Sequence, residues 1–180
     1  MSETVEVGIK GIHLIQLTAH PDSRGSFTEV YRREWVAGMR EMLQANLSLS
    51  YANVLRGLHF HRKQADYWCV FNGTAFIGLY DLRRRSPTEG KNAGIRIVAE
   101  EQRYGLYIPK GVAHGFYAET DVQLQYLVDE AFTGEDEFGI TWDDPDLGID
   151  WPGKEPILSD RDRSNPRLEE VLRHAPVYEG

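Results

Sequence analysis

The sequence predicts an all-β fold, a sandwich or barrel built as one domain over residues 1–180, with short helices at its periphery. Three observations predict it. Short strand-like runs follow one another through the middle of the chain. Gly, Pro and Asn residues separate them, and helical spacing of apolar residues is confined to two segments.

The first helical segment is Glu34 to Gln44, where Trp35, Met39 and Leu43 recur at helical spacing. Strands then begin with Val54-Leu55-Arg56-Gly57-Leu58-His59-Phe60. Tyr67 to Phe71 and Ala75 to Leu82 follow, separated by Asn72-Gly73. Both turn residues tolerate positive φ, so the dipeptide predicts a hairpin. Ile95-Arg96-Ile97-Val98, Tyr104 to Ile108, Gly115-Phe116-Tyr117 and Val122 to Val128 complete the succession. Residues 143–162 are rich in Pro, Gly and Asp. They read as an ordered loop, because Trp142, Ile149, Trp151 and Leu158 give it apolar anchors. Pro166 to Arg173 reads as a second helix, with Asn165 as its cap and Pro166 at the first position.

Hydrophobic residues make up 41% of the chain and aromatic residues 11%, enough for a packed core and against global disorder. No apolar run approaches the ~20 residues of a membrane span. The first residues, Met1-Ser2-Glu3-Thr4-Val5-Glu6, lack the basic and apolar regions of a secretion signal, which with the absence of any possible internal disulfide points to the cytoplasm. Cys69, the only cysteine, lies in an apolar run and reads as core packing rather than a nucleophile. A net charge of −8 argues against a nucleic-acid surface, though local arginines can still hold an anionic small ligand. Arg83-Arg84-Arg85, before Ser86-Pro87-Thr88, reads as a solvated turn rather than a phosphate site.

The chemistry-bearing residues are histidines. His59 and His61 lie two apart on a predicted strand and share one face, beside Arg56. His114 follows the turn Pro109-Lys110-Gly111. On the residues alone, a satisfied core histidine and a catalytic one stand side by side as readings. His13, His20 and His174 lack such company and read as structural or surface residues.

Seven segments, in order, resemble the dTDP-4-dehydrorhamnose 3,5-epimerase family. They are residues 22–29, then Gln44, Asn46 and Ser48, then Leu55-Arg56-Gly57-Leu58-His59-Phe60, then Asp81-Leu82-Arg83 with Ser86-Pro87-Thr88, then 108–116, 139–145, and Leu158-Ser159-Asp160. The resemblance implies a cupin-type jelly roll (a double-stranded β-helix), usually a homodimer with exchanged strands, acting on a nucleotide-diphosphate keto-sugar. The activity it implies is epimerisation at C3, C5 or both of a dTDP-4-keto-6-deoxy-hexose, without an organic cofactor. Such a reaction needs a base against a carbon acid beside a ketone, a stabilised enolate, and an acid on the opposite face. The resemblance assigns His59 as base, Asp160 as its carboxylate partner and Tyr126 as acid. It carries Arg24, Phe27, Glu29, Gln44, Asn46, Arg56 and His114 over as substrate-binding residues, the first three possibly serving the neighbouring subunit.

One departure stands out. Where the family carries a Lys that helps stabilise the enolate, a shortened segment here places Asp66, and a carboxylate repels an enolate. Arg56 or Lys63 could take over, the reaction could differ, or activity could be lost. The same segment resembles the metal spacing of general cupins, which makes His59, His61, Asp66 and His114 an alternative ligand set for a divalent ion such as Zn. Further alternatives are a nucleotide-sugar 3,4-ketoisomerase, a non-catalytic sugar-binding cupin, and an iron-dependent dioxygenase.

Overall fold

In a computed structural model that describes residues 4–179, the chain is built from antiparallel strands. The reading of the N-terminus as no secretion signal falls partly outside these residues. In chain order the strands are β1 (Thr4–Glu6), β2 (His13–Gln16), β3 (Ala19–Asp22), β4 (Gly25–Thr28), β5 (Gln44–Ser50), β6 (Leu55–Phe60), β7 (Asp66–Asn72), β8 (Thr74–Asp81), β9 (Asn92–Val98), β10 (Tyr104–Ile108), β11 (Val112–Ala118), β12 (Val122–Val128) and β13 (Phe138–Gly139). Two short helices, α1 (Asp160–Arg163) and α2 (Leu168–Leu172), follow. Among the described residues no helix is long and apolar enough to cross a membrane.

A six-stranded sheet runs β1-β2-β10-β7-β12-β5, and a five-stranded sheet runs β13-β6-β11-β8-β9. From β5 to β8 the chain changes sheet at every step, and it does so again from β9 to β12. This gives the jelly roll that the resemblance implies. Trp68, Val70, Leu106 and Leu124 from one sheet meet Ile77, Leu79, Ile97 and Phe116 from the other in a buried core. β3 and β4 form a separate hairpin whose residues are almost all exposed.

Four expectations are corrected. Residues 34–44 are not a helix: a single 3-10 turn, Arg33–Trp35, leads into irregular chain and then β5. Gly38 at φ +81 breaks the helical path, while Val36 and Met39 bury against Ile15, Leu17, Tyr67 and Cys69 without it. Asn72-Gly73 does not close a hairpin, because β7 and β8 belong to different sheets. The dipeptide instead makes the corner between them. A side chain on Gly73, at φ +80, would collide with Asp121 and Thr120.

The third correction concerns α2, which starts at Leu168, after Arg167 rather than after Asn165. Its capping group comes from elsewhere: Leu168 N–H donates to Asp144 Oδ2 at 2.9 Å. The fourth is Arg83, which is buried and not a solvated turn residue. Its guanidinium donates to both Asp81 oxygens, at 2.7 and 2.8 Å, and Ser86 and Thr88 hydroxyls complete the carboxylate's partners. The motif Asp81-Leu82-Arg83 with Ser86-Pro87-Thr88 is therefore a structural tie.

The loop expected over 143–162 is ordered, with Ile149 and Trp151 packed on a buried cluster around Leu58, Tyr80 and Ile140. Its last residues form α1. Cys69 is buried, and burial pushes its thiol up to about 12, as expected for core packing.

Candidate active site

A cavity of about 430 Å³ opens between the two sheets. The six-stranded sheet contributes Gln44, Asn46 and Ser48 from β5, Asp66 and Trp68 from β7, and Leu124, Tyr126 and Val128 from β12. Each set alternates along its strand, as one face of a pleated sheet must. The opposite sheet contributes Arg56 and His59 from β6, with His114 and Phe116 from β11; His61 lies just past the end of β6.

Arg56 and His59 are three apart, a spacing that puts two side chains on opposite faces of a regular strand. Both line the cavity because β6 carries an extra residue. His59 pairs with His114 and Arg56 with Phe116, so three steps on β6 match two on β11. Gly57 takes φ +119 at this bulge, and a Cβ there would lie 2.8 Å from Gly115 Cα. The glycine and the bulge together set which side chains face inward.

His59 Nε2 lies 2.6 Å from Asp162 Oδ1. The carboxylate behind His59 is therefore Asp162 and not Asp160, which is exposed. The reason is helical geometry. Ser159 caps α1 by accepting from Asp162 N–H, and residues two apart on a helix point roughly 200° apart. Only Asp162 is turned inward. Burial acts to raise its carboxyl, but the hydrogen bond and charge of His59, with bonds from Ser159 and the Gly57 N–H, outweigh that and hold it below the usual carboxylate range. An ionised carboxylate only accepts, so His59 carries its proton on Nε2 and leaves Nδ1 as the basic nitrogen.

Tyr126 faces this pair from the other sheet, half-buried beside Trp68 and Asn46. Burial, helped by the carboxylates of Asp66 and Glu137, raises its phenol above the ordinary value and keeps it protonated at neutral pH. The cavity thus holds a histidine–carboxylate pair and a protonated phenol on facing walls.

Of the expected substrate residues, Gln44, Asn46, Arg56 and His114 line the cavity. Arg24, Phe27 and Glu29 do not. They lie on or just after the β3–β4 hairpin, Arg24 paired with Asp22, Glu29 with Arg32, and Phe27 71% exposed. Lys63 is exposed and does not line the cavity, so it does not replace the missing lysine. The cavity's described cations are Arg56 and Arg161. Arg56 Nε donates to Ser50 Oγ at 2.9 Å, and Arg161 pairs with Glu137 at 3.0 Å.

Of the four alternative metal ligands, three come together. Ligand atoms of His61, Asp66 and His114, all buried, lie within 4.8 Å of one another. His59 is set apart by its bond to Asp162. The shortened segment before Asp66 is held by Asp136, whose carboxylate accepts from the N–H groups of Arg62, Lys63 and Gln64. Asp136, Asp162, Gln64, Phe132, Glu137 and Arg161 were not singled out from the sequence. For Asp162 a signal existed: Ser159 is a helix cap, and a cap fixes which of two neighbouring acids turns inward.

A family model described as dTDP-4-dehydrorhamnose 3,5-epimerase matches residues 6–170. The chain is 37% identical over 183 residues to the dTDP-4-dehydrorhamnose 3,5-epimerase of Methanothermobacter thermautotrophicus, covering 97% of this chain and 96% of that protein. It superimposes with a TM-score of 0.92 and 31% identity on dTDP-6-deoxy-D-glucose-3,5-epimerase of Legionella pneumophila in complex with dTDP-4-keto-L-rhamnose, covering 100% of both chains. ChmJ, a 3'-monoepimerase from Streptomyces bikiniensis in complex with dTDP-quinovose, matches with a TM-score of 0.88 and 31% identity, over 96% of this chain and 92% of that one. With its fold, its cavity and these matches in agreement, the chain belongs to the dTDP-4-dehydrorhamnose 3,5-epimerase family.

Proposed function

We propose that this chain epimerises a dTDP-4-keto-6-deoxy-hexose at C3, at C5 or at both. The observation that carries the reading is the His59–Asp162 pair on one wall of the cavity with the Tyr126 phenol on the other. His59 Nδ1 takes the proton from the carbon beside the ketone, and the charge of Asp162 stabilises the imidazolium that results. The electrons move into the ketone as an enolate. Tyr126 returns a proton from the opposite face, which inverts the centre. The sugar and diphosphate occupy the space among Gln44, Asn46 and Arg56, with Arg56 and Arg161 as the cations for the phosphates. Phe132, 66% exposed at the rim, offers a face for the base, a contact worth ~1–3 kcal/mol.

The enzyme works as a homodimer on this reading. β5 is the edge of the six-stranded sheet, and Leu47 and Leu49 leave its outer face apolar and exposed, with Leu43 and Tyr51 beside its two ends. On the same reading Arg24, Phe27 and Glu29, on or beside the exposed β3–β4 hairpin and away from this chain's cavity, serve the neighbouring subunit's substrate. We assign the enzyme to the cytoplasm, where a free thiol such as Cys69 persists.

The test is incorporation of solvent deuterium. In D2O the enzyme should place deuterium at C3, C5 or both of dTDP-4-keto-6-deoxy-glucose, read by NMR, with the ketone still at C4. A ketone moved to C3 would make the enzyme a ketoisomerase. No exchange with any dTDP-4-keto-sugar would overturn the reading.

A further inference from the structure

Three acceptor groups, the imidazoles of His61 and His114 and the carboxylate of Asp66, converge on the cavity floor. His61 Nδ1 lies 2.6 Å from the Asp136 carbonyl oxygen, and His114 Nδ1 lies 3.0 Å from the Val112 carbonyl oxygen. A carbonyl can only accept, so each ring carries its proton on Nδ1. In the neutral ring Nε2 is then a bare lone pair. His114 Nε2 points toward Asp66 Oδ2, 3.8 Å away.

Asp66 is prepared in the same way. Gln64 Nε2 donates to Oδ1 at 2.8 Å and Trp68 Nε1 to Oδ2 at 2.9 Å. These bonds fix the carboxylate's orientation and leave lone pairs on both oxygens. With both rings neutral, two lone-pair nitrogens and a carboxylate facing one another form a set of donors for a cation. Backbone carbonyls that accept from imidazole Nδ1–H groups, and donors that hold a carboxylate, are the outer partners that keep metal ligands in place. A four-coordinate ion with bonds near 2.1 Å spaces its ligand atoms roughly 3.4 Å apart, a modest closing of the present arrangement.

We propose that His61, Asp66 and His114 form a three-ligand site for a divalent transition-metal ion, of which zinc is the probe. Two imidazoles and one carboxylate suit that class and leave a position open toward the cavity. On the epimerase reading, the ion supplies the positive charge that an enolate oxygen needs, at the place where Asp66 alone would repel it. His59 stays outside the site, bound to Asp162, and so remains free as the base.

The experiment has a binding arm that needs no sugar. Full-length protein is stripped with a chelator and titrated with zinc by calorimetry and with cobalt(II) by visible absorption. One equivalent per chain is expected, with a ligand-field spectrum of low coordination number. Asp66→Asn and His61→Ala should each weaken binding by more than about 100-fold, beyond the loss of a merely supporting partner. Circular dichroism identifies variants that remain folded. Failure of folded wild-type protein to bind, or equal binding by both folded variants, overturns the site.

The second arm measures deuterium exchange directly: chelator-stripped wild type should lose exchange at least about tenfold and regain it with zinc. Full exchange by stripped wild type overturns the assigned role of the ion. Should the protein exchange no keto-sugar at all, the epimerase reading falls while calorimetry and the cobalt spectrum still decide the metal site.

Discussion

His59 and Asp162 meet at 2.6 Å across the gap between strand β6 and the single turn of α1. The bond joins residues more than a hundred positions apart and fixes which nitrogen of the imidazole can act as a base. Replacing His59 with Ala should abolish deuterium exchange, a loss of about 10²–10⁴-fold for a positioned base, with dTDP binding by calorimetry largely kept.

Asp162 and Asp160 should separate cleanly. Asp162→Asn should cut turnover by up to about 10⁴-fold, because the imidazole loses both its tautomer and its counter-charge. Asp160→Asn should leave turnover within about twofold, since an exposed residue away from such features carries little. Equal losses in the two would show that the pair at 2.6 Å is not the working one.

The acid side of the stability profile follows from the same carboxylate. Asp162 is held below the ordinary carboxylate range, so the folded chain binds its proton less readily than the unfolded chain does. Its contribution is complete above the unfolded value, ~3.9, and is lost as pH falls through the lower folded value. Asp162→Asn should therefore flatten the acid limb of denaturant-derived stability against pH, without changing the profile near neutrality.

Tyr126→Phe should uncouple the two halves of the reaction. The base remains, so deuterium still enters the substrate at the face that lost its proton, while inverted product falls by about 10²–10³-fold. Chiral analysis of recovered sugar by NMR distinguishes retained from inverted centres. A variant with wild-type inversion would remove Tyr126 from the acid role.

Arg83→Met tests whether the basic run serves ligand or fold. Breaking a buried ion pair leaves Asp81 without its counter-charge and should cost about 3–5 kcal/mol, seen as a lower melting temperature. dTDP affinity of the folded fraction should be unchanged.

The architecture was legible where periodicity and burial coincide. β7, β8, β10 and β12 lie within a residue or two of their expected bounds, because a strand buried on its sheet face must alternate or run apolar. Legibility failed where tertiary context overrides local preference. Trp35, Met39 and Leu43 have helical spacing, yet Gly38 and the cluster around Tyr67 favour an irregular path. Asn72-Gly73 has hairpin chemistry, and the same positive φ at Gly73 serves equally well at a corner between sheets. In the site, His59, His114, Tyr126, Gln44, Asn46 and Arg56 were found from the chain itself and its resemblance. Asp162 was missed by two residues, since either acid of Ser159-Asp160-Arg161-Asp162 can be written beside the histidine until the direction of α1 is known.

The extra residue in β6 has an evolutionary corollary. Because it lies between Arg56 and His59, removing it would restore a regular pleat and force a choice. Either the guanidinium or the histidines would swing to the outside of the molecule, and no point substitution could bring them back. The stretch Arg56-Gly57-Leu58-His59 should therefore tolerate exchange of side chains far better than any change in its length.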